Sequence, residues 1–464
     1  MRPRLRTLSG TENIAEADYL QASLEIYDFI EANRIDGDLG ISYRINPGSA
    51  VDYTGGPVHG QYSLYSGSAG TGIFLLRLYE VTGDKKYLEE VSRILDELTN
   101  NVSGSDFYLE KLESAPGSSL PITGWHTGVY SGPAGAGVLS LSYYQHEKDA
   151  KYLSFAERLG RDILAASKSD ENGKYLTEDT DVFSDGGFVL YFISLYRAGG
   201  NPEFLETARD YAAHIAKSAS DDGEGGLYFK ANEIGKVGMP EGSIYPGFAH
   251  GTSGIGFIFA TLYEVDGKDW ELETAEKTAK FLEKIADDFD GARLIPYIYG
   301  GENSDDYKGK YYIGFCHGPA GTSLLFKKLH VITGNSHYFD VYKSLAEGII
   351  KAGAPEYNSW GLWNSYCACC GVPGLIEYFT DVYETTGEEK YLDVARRSAA
   401  RTIADSFEGK TGRCFYGYWD RTNPFDVQTY TGLYIGAAGA GANLLRLYGH
   451  LQGKAVTPLW EYSY

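Results

Sequence analysis

Cysteine is scarce in this chain, at five residues of 464, and the number is odd. That argues against a secreted disulfide framework, and three of the five crowd together at Cys367, Cys369 and Cys370, a spacing suited to metal or redox chemistry. Long apolar runs are missing as well. No stretch approaches the ~20 residues that a membrane-spanning helix needs, and Arg2, Arg4 and Arg6 have no apolar segment behind them. A cytoplasmic protein without a transmembrane segment is therefore expected. Positive charge is also in short supply: 41 Lys and Arg stand against 63 Asp and Glu, for a formal charge of -22. Such a surface repels phosphate backbones, which excludes nucleic acid as a partner. Hydrophobic content of 43% allows one large core or several smaller ones, so internal repeats have to decide the organisation.

Repeats are present. A glycine-rich signature followed by an apolar run begins at Gly67 (GSAGTGIFLL), Gly132 (GPAGAGVLSL), Gly251 (GTSGIGFIFA), Gly318 (GPAGTSLLFK), Gly371 (GVPGLIEYF) and Gly436 (GAAGAGANLL), and SDGGFVLYFISLY at Ser184 to Tyr196 fills the long gap between the second and third. Seven copies span 369 residues from Gly67 to Gly436, about 61 per step, enough for two helices and a long loop. Each of the first six is followed by a turn and an amphipathic stretch, such as TGDKKYLEEVSRIL from Thr82 and GEEKYLDVARRSAARTI from Gly387. A seventh amphipathic stretch, Asp18 to Asn33, precedes the first signature and can close a ring. The pattern predicts an all-α fold, an α/α toroid of seven inner and seven outer helices, with residues 1–464 forming a single domain. The inner helices all begin on one rim, where the long loops also arrive, so the residues just before each glycine converge on the mouth of the ring.

Aligned on the first glycine, the preceding position holds Ser66, Ser131, His250, His317, Cys370 and Ile435, and the one before it Tyr65, Tyr130, Ala249, Cys316, Cys369 and Tyr434. A Cys beside a helix start is ordinarily a small buried hydrophobe, and a rim His is often a hydrogen-bonded core residue. Matching positions in neighbouring repeats argue otherwise for the cysteines. Two Cys with a third sulfur or imidazole make a tetrahedral zinc site with one position left for substrate. A rival arrangement adds Cys367 and closes a four-cysteine structural site, but a Cys-x-Cys-Cys run does not readily aim all its thiols at one ion.

With these seven signatures and rim residues the chain resembles the lanthionine synthetase C family over nearly its whole length. The family's rim motifs, His-Gly, Trp-Cys-x-Gly and Cys-His-Gly, are matched by Ala249-His250-Gly251, Phe315-Cys316-His317-Gly318 and Cys369-Cys370-Gly371. The resemblance implies Zn²⁺ as cofactor with Cys316, Cys369 and Cys370 as its ligands, and His250 as acid/base. Cys370 stands where a ligand His is usual, a Cys-Cys-Gly variant of the zinc site, and Tyr312 stands where an Arg is usual. An acidic residue of the third unit is also implied near the site. Asp181 and Asp185 both qualify, and Asp185 is carried with His250 as the catalytic pair.

The implied activity is that of a zinc-dependent lanthipeptide cyclase, adding peptide Cys thiols to dehydroalanine or dehydrobutyrine to form thioether (lanthionine) rings. Its partners would be a dehydrated precursor peptide, a separate dehydratase and an exporter. Three thiolates would leave the metal site one unit more negative than two thiolates and a neutral His, and so more electron-rich. Two other classes fit the same chain: a noncatalytic zinc protein that binds thiol peptides or glutathione, and an α/α-toroid glycoside hydrolase working without metal through two carboxylates. Trp125, Trp360 and Trp363 are candidates to line a peptide groove, and the acidic runs Asp221 to Glu224 and Asp287 to Asp290 read as solvated turns.

Overall fold

In a computed structural model of the chain, the described residues are 11–47 (except 12), 59–105, 109–112, 122–125, 128–230 (except 178), 242–301, 308–357, 366–416 and 429–463. Trp360 and Trp363 lie outside them, as does the side chain of Trp125. Among the described residues fourteen helices make the ring. They are α1 (Glu16–Glu31), α2 (Ser68–Thr82), α3 (Lys86–Asn101), α4 (Ala134–Glu147), α5 (Ala150–Ala166), α6 (Asp185–Gly199), α7 (Pro202–Lys217), α8 (Thr252–Asp266), α9 (Asp269–Ile285), α10 (Pro319–Thr333), α11 (Ser336–Lys351), α12 (Val372–Thr386), α13 (Glu389–Ala404) and α14 (Ala437–Leu451). The even-numbered helices form the inner layer and the odd-numbered the outer, an α/α toroid of seven and seven.

The two layers differ as their sequences require. Inner helices touch neighbours on every side, so α8 is buried without a break from Thr252 to Leu262. Outer helices bury one face, as in α3, where Tyr87, Leu88, Val91, Ile94, Leu95 and Leu98 point inward while Lys86, Glu89 and Arg93 face water. Each outer helix packs on the inner helix before it, and α1 packs on α14, with the Ser23 hydroxyl donating to the Gly441 carbonyl at 3.1 Å. The inner helices contact one another in sequence, and α14 returns to α2, closing the ring. One hydrophobic core runs through it, from Tyr19 to Trp460.

The loops contain an element that the repeat pattern does not announce. Among the described residues, six of the connections from an outer helix to the next inner one carry a short antiparallel strand pair, such as Asp287–Phe289 with Ala292–Leu294. The acidic run expected as a solvated turn supplies that hairpin's first strand and its turn, where Asp290 and Gly291 take left-handed φ values of 60° and 85°. Paired Asp-Gly or Asn-Gly residues between short runs were the available signal.

The rim is built by the glycine signature itself. Its first glycine caps the inner helix, and the glycine at its fourth position leaves room for a backbone carbonyl six residues earlier. A Cβ on Gly321 would stand 2.0 Å from the Phe315 oxygen, and one on Gly374 2.2 Å from the Ala368 oxygen. Any side chain there would push away the turn that carries Cys316 or Cys369. The residues two before the first glycine then bond to each other around the mouth: Ala249 N–H donates to the Cys316 carbonyl (2.7 Å), Cys316 to Cys369 (3.3 Å), Cys369 to Tyr434 (3.0 Å), Tyr434 to Tyr65 (2.9 Å) and Tyr65 to Tyr130 (2.8 Å). This backbone belt converts a sequence register into spatial adjacency. At the other extremity of the chain, Leu459–Ser463 forms a 3-10 turn whose Leu459 N–H donates to Glu377.

Candidate metal centre

Cys316 and Cys369 are adjacent links of that belt, and Cys370 follows Cys369, so three thiols meet at one place. The Sγ atoms of Cys316 and Cys370 are 3.5 Å apart, and all three sulfurs lie within 4.8 Å of one another. No disulfide joins them. Ligand sulfurs on a tetrahedral zinc, with bonds of about 2.3 Å, stand about 3.8 Å from each other, so the donor set and its spacing fit that ion. Cys316 and Cys369 are 5% and 2% exposed and Cys370 is half-buried, which leaves the cluster one face to the mouth. Cys367 is outside the cluster; its sulfur accepts the Cys370 backbone N–H at 3.3 Å.

Packed thiols share protons unevenly. Burial works to raise the Cys316 thiol, yet hydrogen bonds from Cys369, Cys370 and the Tyr312 hydroxyl hold its pKa well below the ordinary value. Cys369 donates to Cys316 and Cys370, and is pushed well above that value. Tyr312, four residues before Cys316, is buried with its ring stacked on Tyr297 at 5.5 Å, and burial beside the thiols keeps its hydroxyl protonated.

His250 stands at the next position of the rim, its side chain 28% exposed and so within reach of a ligand in the mouth. Its Nδ1 is 2.8 Å from the Asp181 carboxylate, whose other oxygen accepts the Phe183 N–H at 2.8 Å. Burial works to lower the His250 pKa, but the Asp181 charge and hydrogen bond, with Asp179 behind them, hold it above its usual value. Of the two acids considered from sequence, Asp181 is the one set against His250. Asp185 is turned elsewhere: its carboxylate accepts the backbone N–H groups of Leu176 (2.9 Å) and Thr177 (3.2 Å) and the Thr177 hydroxyl (3.0 Å), tying the preceding loop to the start of α6. The third repeat lacks the full glycine frame, so register alone did not separate them. His317 sits against Tyr245, Tyr297 and Tyr312, with ring centroids at 4.7, 5.1 and 5.4 Å, and lies 5.6 Å from the His250 ring.

An aromatic patch completes the mouth, and sequence reasoning did not pick it out. Tyr65 stacks on Tyr434 (5.6 Å), Tyr130 on Phe183 (4.6 Å), Phe315 lies 5.8 Å from Tyr434, and Phe183 lies 4.8 Å from His250. Tyr65, Tyr130 and Tyr434 occupy the same repeat position as the two cysteines, which was the available signal. Between the thiols and the His250–Asp181 pair, the site joins three soft sulfur atoms, a histidine of raised pKa and a largely apolar surround.

The family described as lanthionine synthetase C-like protein matches residues 59–453. Among solved structures, nisin cyclase is similar, with 18% identity, coverage of 87% of this chain and 92% of its own, and a TM-score of 0.59. A sugar epimerase from a ruminal bacterium (13% identity, 96% of this chain, 100% of its own, TM-score 0.48) and a cellobiose 2-epimerase from Bacillus thermoamylovorans (12%, 94%, 99%, 0.46) match more loosely.

Proposed function

Because the chain belongs to the lanthionine synthetase C-like family, we propose that it is a zinc-dependent lanthipeptide cyclase, joining peptide Cys thiols to dehydroalanine or dehydrobutyrine as thioether rings. The observation that carries this reading is the three-thiol cluster facing the same mouth as the His250–Asp181 pair. The whole chain, 1–464, acts as one domain around that mouth, and its substrate is a peptide dehydrated by a separate enzyme and later exported.

Cys316, Cys369 and Cys370 are the residues to hold Zn²⁺, in a Cys-Cys-Gly variant of the family's site. When bound, the ion lowers the pKa of a substrate thiol, so that thiolate is present at neutral pH. Attack of the sulfur forms the C–S bond at the β-carbon, and the double-bond electron pair moves toward the α-carbon and its carbonyl. The α-carbon then takes a proton, so that the hydrogen lost by the thiol is balanced in the product. His250 moves that proton. With Nδ1–H donated to Asp181, its Nε2 is the atom presented to substrate, and its raised pKa keeps the imidazolium available near neutrality. Tyr65, Tyr130, Phe183, Phe315 and Tyr434 keep water from the reacting carbon and strengthen each charge interaction there.

Metal analysis of the purified protein, beside cyclisation of a dehydrated peptide, tests the reading. About one zinc per chain is expected, lost in Cys316→Ala and in Cys369→Ala together with ring formation. Unchanged metal content in both variants overturns it. A metal-loaded protein that binds thiol peptides without cyclising them would make it a binding member of the family, and metal-independent cleavage of glycosides would reassign it altogether.

A further inference from the structure

Phe183 touches rim residues of the repeats on both sides of its own. It stands between Asp181 and the start of α6, in a tight turn where the Asp181 carboxylate accepts its N–H at 2.8 Å and the Asp181 carbonyl accepts the Ser184 N–H at 3.1 Å. Against this turn lies Gly128, at φ 68°, where a Cβ would stand 2.5 Å from the Phe183 oxygen, so the backbone of the two repeats is in direct contact. The half-buried Phe183 ring meets the His250 ring at 4.8 Å, stacks on Tyr130 at 4.6 Å and lies edge-on to Tyr65 at 5.7 Å.

One carboxylate therefore holds both the His250 Nδ1 and the turn that sets a ring beside His250. A hydrogen bond at Nδ1 fixes which nitrogen is presented to substrate, but it leaves the imidazole free to swing about that bond. A ring packed against it from a neighbouring repeat removes the swing. Direction matters to the reaction, because the α-carbon of the planar intermediate becomes a stereocentre when it takes its proton. A proton from a fixed Nε2 reaches one face of that carbon, whereas a swinging imidazole, or water in its place, serves both. We propose that Phe183 is a positioning residue for His250 and that its ring decides which face of the α-carbon is protonated. This rests on the reading of His250 as the proton donor. The balance of the addition is unchanged: the thiolate pair forms the C–S bond, the double-bond pair becomes the C–H bond with the Nε2 proton, and the proton lost by the thiol restores the imidazolium.

The isomer ratio of the product reads this directly. A short peptide carrying one Cys and one dehydroalanine is cyclised by zinc-loaded wild type, Phe183→Leu, Phe183→Tyr and Phe259→Leu. The lanthionine isomers are separated on a chiral phase after hydrolysis, and uncatalysed ring closure is subtracted. Phe259, about two turns into α8, packs on Phe229 and Trp270 and controls for the loss of a buried ring away from the mouth. Wild type, Phe183→Tyr and Phe259→Leu give one predominant isomer, and in Phe183→Leu the minor isomer rises several-fold. Proton NMR of the imidazoles gives a readout without substrate. The His250 signals, assigned by their absence in His250→Gln, move in Phe183→Leu and stay in place in Phe259→Leu, because only the first removes the ring current of Phe183. An unaltered isomer ratio or unmoved His250 signals in Phe183→Leu overturns the role of Phe183, as does a ratio that changes equally in Phe183→Tyr or Phe259→Leu. Ring closure by His250→Gln at the wild-type rate and isomer ratio overturns the reading of His250 instead, and no ring closure by wild type overturns the cyclase reading.

Discussion

At the end of the ring where the inner helices begin, Cys316, Cys369 and Cys370 bring together two buried sulfurs and one half-buried one, close enough to hold a metal ion. Farther along the inner helices the polar residues are as deeply buried but pair with one another, although the Arg77 Nε makes no hydrogen bond among the described residues. Arg77, fully buried, makes two hydrogen bonds to Glu377 (2.8 and 3.0 Å) and donates to the Ala442 and Thr457 carbonyls (2.9 and 2.6 Å), while Glu377 also accepts the Leu459 N–H at 2.9 Å. The first region is held open by backbone, through the belt and the glycine contacts. The second is locked by side-chain charge and by the chain's last turn. A protein of one sequence pattern thus spends its buried polar groups on function at one depth and on closure at another.

Removing one partner from the locked region is expected to have the largest effect on stability. Glu377→Ala leaves the Arg77 guanidinium buried without its carboxylate, and a denaturant titration should show a loss of about 3–5 kcal/mol. Bound zinc, measured below the unfolding transition, should stay at the wild-type level, because the belt does not pass through Glu377. If metal is lost while the helices persist, the two regions are not independent and the comparison fails.

The mouth breaks differently. Asp181→Asn should slow cyclisation by about 10²-fold, the contribution of one positioned acid/base group, with zinc retained. Its pH signature has a definite sign. Burial favours neutral His250 and Asp181 opposes it, so loss of the carboxylate lowers the His250 pKa, and the alkaline limb of the rate profile moves to lower pH. Asp185→Asn is the sharpening control. It weakens the loop anchoring at Leu176 and Thr177 and should cost about 1–3 kcal/mol of stability, with the alkaline limb where it was in wild type. A shift in Asp185→Asn and none in Asp181→Asn would exchange their roles.

The smallest effect is expected at Cys370. Cys370→His keeps a tetrahedral ligand and hence the metal, but makes the site less electron-rich by one formal charge. The addition step should slow by about tenfold or less, equivalent to at most ~1.4 kcal/mol of barrier, on a dehydrated peptide assayed beside wild type. An unchanged rate would mean that ligand charge does not govern reactivity at this mouth.

The ring was legible because its cause is local and repeated. An apolar run after G-x-x-G must be buried all round and a charged-and-apolar run on one face only, so counting the two kinds recovered both layers and their order, including α1 as the partner of α14. The six hairpins were passed over because strands of two to four residues carry too few side chains to show a period. At the rim, the positions of Cys316, Cys369, Cys370 and His250 could be aligned from the glycines, since equivalent backbone places equivalent side chains.

What the residues alone determined, then, is which side chains share a ring position, because helical period and glycine spacing are properties of contiguous chain. Only the tertiary structure decided which of them touch. The choice of Asp181 over Asp185 beside His250 turns on how a short loop folds against α6, and the aromatic patch exists because Tyr65 and Tyr434 become neighbours when the ring closes. Contacts between residues hundreds of positions apart depend on closure of the whole chain, and no local pattern encodes their distances.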